Sequence, residues 1–117
     1  MKVVLPWPPK VLHPNARVHW AQLAKTKKAY RYACHMLTKA AGIRIDPQAR
    51  PTVALEFVLP DRRRRDVDGM LAAMKSGLDG LADAIGCDDS RWSLTLSVAE
   101  GEIGGMVRVQ ITTTESA

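Results

Sequence analysis

The chain is 117 residues long, 46% hydrophobic and 25% charged, which is typical of a single globular domain over residues 1–117. No apolar run approaches the ~20 residues of a membrane-spanning helix, and no secretory leader pattern opens the sequence. We therefore expect a cytoplasmic protein with no membrane partner.

The net charge of +5 favours an anionic partner, and its distribution is uneven. Residues 1–50 carry ten Lys/Arg and one acid, whereas residues 51–117 carry seven Lys/Arg and eleven Asp/Glu. A basic stretch beside an acidic one is typical of phosphate binding next to metal binding. The alternative is a solvated surface with uneven charge.

The first half of the chain predicts a short strand and a long basic helix. Residues 2–5 are a β-branched run that prolines end, and residues 10–17 predict a loop. Residues 18–41 repeat apolar positions every three or four residues, which predicts an amphipathic helix ending at Gly42. The predicted buried face consists of Leu23, Thr26, Tyr30, Ala33, Cys34, Leu37 and Ala41. The opposite, basic face either contacts DNA or is solvated, and it carries Lys25, Lys28, Arg31, His35 and Lys39.

The second half predicts a strand, a helix and two further strands. In chain order these are strand Thr52–Leu59, helix 66–84 ending at Gly86, strand 92–99, turn 100–105, strand 106–112 and a frayed tail, 113–117. The helix should bury Val67, Met70, Leu71, Met74, Leu78, Leu81, Ala82 and Ile85. The order β-α-β-α-β-β predicts an α+β fold, a single two-layer domain in which a small mixed sheet packs against two helices.

Four other residues have simple expected roles. Cys34 and Cys87 form no metal-finger pattern and are predicted to be buried thiols. Trp92 alternates with core positions of its strand and is predicted to lie in the core. Trp7, among prolines, either plugs the sheet or shapes the approach to DNA.

The segment from residue 61 to residue 89 carries the candidate chemistry. Asp66 and Asp68 directly follow four arginines, Arg62, Arg63, Arg64 and Arg65. Mg²⁺ is usually held by one or two carboxylates together with substrate phosphates, so acids beside phosphate-binding side chains favour a metal site. The alternative is that the acids only stabilise the helix N-terminus, by a few tenths to ~1 kcal/mol each.

Helix geometry extends this candidate site. At ~100° per residue, Asp68, Lys75 and Asp79 lie on one stripe, so that Lys75 can lean toward Asp68. A second acid pair, Asp88 and Asp89, follows the helix. If the next strand starts beside the preceding one, the chain could bring this pair back to the first two acids. We therefore expect Asp88 or Asp89 to be the third metal ligand.

Three motifs in order, LPWPP, DRRRRDVD and GCDDS, resemble the RusA-type Holliday junction resolvases over nearly the whole chain. The segment PNARVHW with its lysine-rich helix resembles phage-borne members. The resemblance implies Mg²⁺-dependent cleavage of four-way DNA junctions by a homodimer, and we expect Mn²⁺ to substitute. It also implies that Asp66, Asp68 and Asp89 are the catalytic metal-binding acids, with Asp88 as the weaker candidate.

The sequence departs from the family pattern at two positions. The family has a lysine four residues after the second acid, where this chain has Ala72, so Lys75 is expected to take over its catalytic role. Gly69 stands where many members have Asn. The spacing between DVD and DD is also slightly longer here.

The sequence thus predicts an endonuclease that hydrolyses phosphodiester bonds at four-way junctions during DNA recombination and repair. The DNA backbone should be held by Arg62, Arg63, Arg64, Arg65, Lys25, Lys28 and Arg31. Two alternatives stay open. One is a non-catalytic basic DNA-binding module whose acids serve as caps and charge balance, and the other is a nuclease for flap or other branched DNA.

Overall fold

Alternating apolar residues and proline or glycine boundaries divide the chain into the predicted elements. The computed structural model describes residues 1–113. Its elements are strand β1 (Lys2–Pro6), helix α1 (Trp20–Ala40), strand β2 (Thr52–Leu59), helix α2 (Val67–Ile85), strand β3 (Ser93–Ile103) and strand β4 (Met106–Thr112), with short 3₁₀ turns at Lys10–Leu12 and Asp89–Arg91. The predicted order β-α-β-α-β-β and the α+β class are confirmed. The predicted tail beyond Thr113 lies outside the described residues.

The four strands form one mixed sheet in the order β1-β4-β2-β3. β4 is antiparallel to both β1 and β2, whereas β2 and β3 are parallel, with Val53 opposite Leu94. Because α2 carries the chain back along the sheet between β2 and β3, both strands start at the same sheet end. This direction decides where the acids on either side of α2 lie.

The core forms between the sheet and the inward faces of both helices. Val53, Leu55 and Phe57 on β2 are at most 1% exposed, as their alternation predicts. α2 buries Met74 and Leu81 against them, among other residues of its predicted stripe. Cys34 and Cys87 are free and buried, as predicted, and burial raises the pKa of the Cys34 thiol to about 11.

Three apolar residues that were predicted to be buried on the helices are exposed, and one of them is Ala41 at the end of α1. Val67 in the first turn of α2 is 36% exposed, and Leu37 on α1 is 42% exposed. On α1 the inward position belongs instead to Thr38, which is fully buried. Burial of this threonine is tolerated because its hydroxyl donates to the carbonyl of Cys34 at 2.7 Å.

α1 and α2 approach each other closely at two glycines of α2. A β-carbon on Gly80 would stand 2.2 Å from the carbonyl oxygen of Arg31, and one on Gly77 would stand 2.5 Å from the Tyr30 ring. The Tyr30 hydroxyl, wedged at this crossing, donates to the carbonyl of Pro6 at 2.6 Å. The glycines therefore permit a backbone separation that any side chain would prevent.

β3 differs most from its prediction. It extends to Ile103 instead of ending at residue 99, and the turn is reduced to Gly104 and Gly105. Leu94, Leu96 and Val98 lie opposite core residues of β2, as the alternation predicts, but β3 is an edge strand, so that Leu94 is 39% exposed and Val98 is 36% exposed. Trp92, predicted to be core, is only partly buried, and its indole N–H donates to the carbonyl of Cys87 at 3.2 Å.

Neither helix of residues 1–113 combines the length and apolarity needed to cross a bilayer.

Candidate metal and nucleic-acid site

Asp66 and Asp68 lie at the start of α2 with their carboxylates in solvent. Asp66 is the N-cap residue, but its side chain makes no capping hydrogen bond, and Asp68 follows in the first turn. Both residues are exposed, and both line a small hollow together with Asn15 and Arg64. Capping therefore does not occupy the Asp66 carboxylate, and the pair is available to a ligand.

The loop before α1 supplies two neighbours that the sequence analysis did not assign to the site. His13 and Asn15 line the same hollow as the two acids. The imidazole Nε2 of His13 lies 3.0 Å from the position that a β-carbon on Gly69 would take. His13 Nδ1 accepts a hydrogen bond from the backbone N–H of Asn15 at 3.3 Å. The ring thus fills the space left by Gly69, the position where the family resemblance led us to expect Asn.

The four arginines divide into two pairs. Arg65 donates two hydrogen bonds to the Asp61 carboxylate, at 2.7 Å and 3.0 Å, in a bidentate contact. Arg63 contacts the same carboxylate at 3.2 Å. Hydrogen bonds from Arg65 and Arg63 hold the pKa of Asp61 well below its usual range. Arg62 and Arg64 are exposed. Two of the four cations are therefore committed to shaping the loop.

Arg65 also covers an aromatic ring. Its guanidinium carbon lies 5.8 Å from the centroid of the Trp7 ring, within cation–π range. Trp7 in turn makes an edge contact with Phe57, with the ring centroids 6.1 Å apart. Trp7 therefore packs against the core through Phe57, which is one of its two expected roles, and it also lies beside the arginine loop.

The third acid is not where the sequence analysis expected it. Asp88 and Asp89 precede β3, whereas Asp66 and Asp68 follow β2, and these strands are parallel. The two acid pairs consequently lie at opposite ends of α2, a helix about 28 Å long at 1.5 Å per residue. Within residues 1–113 no three His, Cys, Asp or Glu side chains form a group that could hold a metal ion. The expectation that one chain brings the acids together was wrong.

Asp88 and Asp89 also differ from each other. Asp88 caps the 3₁₀ turn Asp89–Arg91, accepting from the backbone N–H of Ser90 at 3.1 Å and from its hydroxyl. The hydrogen bonds from Ser90 lower the pKa of Asp88. The Asp89 side chain is exposed and makes no such cap. Asp89 is thus the freer of the two to bind a ligand.

Lys75 does not share the hollow of the acid pair. It lines a separate depression on α2 together with Lys27, Ala72 and Asp79. His13 borders both depressions, so the two are adjacent. A catalytic role for Lys75 stays a prediction, and the described arrangement does not bring its side chain to the carboxylates.

The three predicted DNA-binding residues of α1 have different surroundings. Lys25 and Lys28 are exposed. Arg31 forms an ion pair with Asp83 of α2, with its closest contact at 2.6 Å, which raises the Arg31 pKa. Arg31 therefore joins the helices as well as adding charge to this face.

Comparison with known proteins gives one close relationship. The chain is 40% identical over 115 residues to an uncharacterized protein of Xylella fastidiosa (strain Temecula1). The alignment covers 96% of this chain and 74% of the Xylella protein. This chain belongs to the same family as the Xylella protein. No protein-family model matches the chain.

Proposed function

We propose that this protein is a metal-dependent DNA endonuclease that cleaves four-way junctions. The observation that carries the proposal is the pair of exposed carboxylates, Asp66 and Asp68, placed directly after an arginine loop. A carboxylate in the first turn of a helix needs no such neighbours to stabilise the helix. Acids beside phosphate-binding cations are, however, what a site for Mg²⁺ and a DNA phosphate requires.

The residues present fit a magnesium ion in part. Asp66 and Asp68 supply carboxylate oxygens, and the amide oxygen of Asn15 lines the same hollow. When bound, Mg²⁺ would activate a water and stabilise the leaving oxygen, as it does in other phosphodiesterases. Arg62 and Arg64, which Asp61 does not hold, would bind the flanking phosphates. Mn²⁺ would fit the same oxygen ligands.

A second copy of the chain would complete the acid set. β3 is an edge strand with exposed Leu94, Val98 and Ile103, and exposed strand edges pair readily with other strands. Two-fold antiparallel pairing of β3 with its copy would set the start of one strand beside the end of the other. The arginine loop adjoins the end of β3, because Asp61 and Arg62 line a groove with Ile103. Such a dimer would therefore bring the partner's Asp89 toward Asp66 and Asp68.

This arrangement also suits the substrate. Resolving a four-way junction requires two matched cuts, and a two-fold dimer with shared sites offers two matched sites. A non-catalytic DNA-binding module would need only the basic loop and helix, and a flap nuclease would need only one site. The number of cuts per junction therefore separates these alternatives.

The test compares four-way junctions, flaps and linear duplex as substrates with and without Mg²⁺. We expect junction cleavage that requires Mg²⁺ and falls by orders of magnitude in Asp66→Asn, Asp68→Asn and Asp89→Asn. Junction binding without metal should persist in these variants, since each substitution removes a charge that repels phosphate. Asp79→Asn, which removes the same charge further along α2, should cut normally. Cleavage by Asp68→Asn at the wild-type rate would refute the proposal.

A further inference from the structure

A cleft of about 750 Å³ opens beside the acid pair. One side is apolar and includes Trp7, Pro8 and Pro9. Its size falls within the roughly 300–1,000 Å³ of small-molecule sites, so it is too small for a duplex but large enough for one or two nucleotides. The cleft adjoins the acid hollow, because Asn15 and Arg65 line both.

The charges around the cleft match a nucleic acid strand. Its rim carries four cations, Lys10, Arg63, Arg64 and Arg65, against one acid, Asp61. Asp61 is already paired with Arg63 and Arg65, so it does not present an uncompensated negative charge. An aromatic side chain in a cationic groove is the combination that single-stranded nucleic acid sites use.

The wall is rigid before any ligand binds. Two hydrogen bonds from Arg65 to Asp61 fix its guanidinium beside the Trp7 ring, and the Trp7 ring rests on Phe57. Arginine planes and aromatic rings are the surfaces on which unstacked bases are held. A preorganised wall of this kind binds a base without first losing the freedom of a mobile side chain.

We infer that this cleft binds an unstacked nucleotide of the DNA, with its base against the Trp7–Arg65 wall and its phosphate at the cationic rim next to Asp66 and Asp68. The inference rests on the proposed function and deepens it: the base leaves the helical stack close to the phosphate that is cut. Branched DNA supplies such bases at lower cost than linear duplex, because stacking is already interrupted at the branch. The cleft would thus contribute to selection of branched substrates.

The experiment follows Trp7 fluorescence in the double variant Trp20→Phe, Trp92→Phe, which keeps Trp7 as the one tryptophan of the three. Two single-stranded oligonucleotides of equal length and charge are titrated in EDTA, a thymine oligonucleotide and its fully abasic counterpart. We expect the thymine oligonucleotide to quench Trp7 and to bind about ten-fold more tightly than the abasic one. Equal affinities with no quenching would mean that the cleft binds phosphate alone and would overturn the inference.

A second pair of variants controls for folding. In the otherwise wild-type protein, Trp7→Ala should abolish the preference for bases, and Trp7→Phe should keep most of it because a stacking surface remains. Trp20→Ala, at a residue 76% exposed on α1, should leave the preference unchanged. Should Trp7→Ala not fold, Trp7→Phe and the fluorescence titration still decide the question. Loss of the preference in Trp20→Ala but not in Trp7→Ala would also refute it. Because no step requires metal or cleavage, a failed nuclease assay leaves this result interpretable.

Discussion

At the residue scale, Asp61 decides how many of the four loop arginines are free to bind a phosphate. It accepts hydrogen bonds from both Arg63 and Arg65, and these hold its pKa well below the usual range. Because the pKa of Asp61 is lower in the folded than in the unfolded protein, its ionised carboxylate stabilises the folded loop at any pH above the unfolded pKa. This contribution is lost only as the pH falls through the lower pKa of the folded state. The loop should therefore keep its shape across neutral and mildly acidic pH.

Asp61→Asn should release these two arginines and tighten DNA binding. We expect the salt dependence of affinity to steepen by about 0.9 in log–log slope for each additional phosphate contact. Filter binding or fluorescence anisotropy over a series of salt concentrations measures this slope. Asp46→Asn removes the same charge from an exposed residue in the loop before β2 and should leave the slope almost unchanged. An unaltered slope in Asp61→Asn would show that its arginines do not reach DNA.

At the element scale, two neighbouring positions of α2 should respond oppositely to alanine. Gly80→Ala would place a β-carbon against the Arg31 backbone, so we expect a loss of about 2–3 kcal/mol in the free energy of unfolding. The Ser76 hydroxyl is buried and has no hydrogen-bond partner among the described residues, so Ser76→Ala should gain about 1 kcal/mol. Urea denaturation followed by circular dichroism measures both. A stable Gly80→Ala protein would contradict the close helix crossing.

The helices and strands also show which structural features the sequence patterns could predict. The bounds of β2 and β4 followed from alternation and flanking breakers, and the helix ends followed from Gly42 and Gly86, both at positive φ. The exposure of β3 did not follow, because alternation cannot tell an edge strand from a central one. The position of Asp89 could have been predicted: a strand after a crossover helix runs parallel to the strand before it, which separates the acids flanking that helix.

The sequence also indicates which acids and arginines form the candidate site, but not which residues they contact. The contact of His13 with Gly69 and the position of Arg65 over Trp7 join residues more than 50 positions apart. Such contacts depend on how a loop lies against a helix, and no local spacing encodes this. For the same reason, the sequence places Asn15 only in the predicted loop 10–17 and in the PNARVHW segment.

At the scale of the whole molecule, the proposed dimer depends on the β3 edge. We expect the wild-type protein to have twice the 12.9 kDa chain mass in solution and the double variant Leu94→Lys, Val98→Lys to have the monomer mass. Both side chains are exposed in the single chain, so thermal unfolding of the variant should still be cooperative. Light scattering after size-exclusion chromatography gives the masses.

Val4→Lys on β1, a residue 53% exposed at the opposite edge of the sheet, is the matched control and should remain dimeric. A double variant that stays dimeric would move the interface away from β3.

The most direct test of the shared metal site mixes two inactive proteins. Suppose that each site takes Asp89 from the partner chain. A heterodimer of Asp68→Asn with Asp89→Asn then has one site that lacks both Asp68 and Asp89, and one site that keeps all three acids. We predict that each variant alone is inactive, and that the purified heterodimer nicks one strand of a four-way junction in Mg²⁺. If both acids of a site came from one chain, every site in the heterodimer would lack an acid. A heterodimer that stays inactive while the wild-type dimer cuts would contradict the shared site.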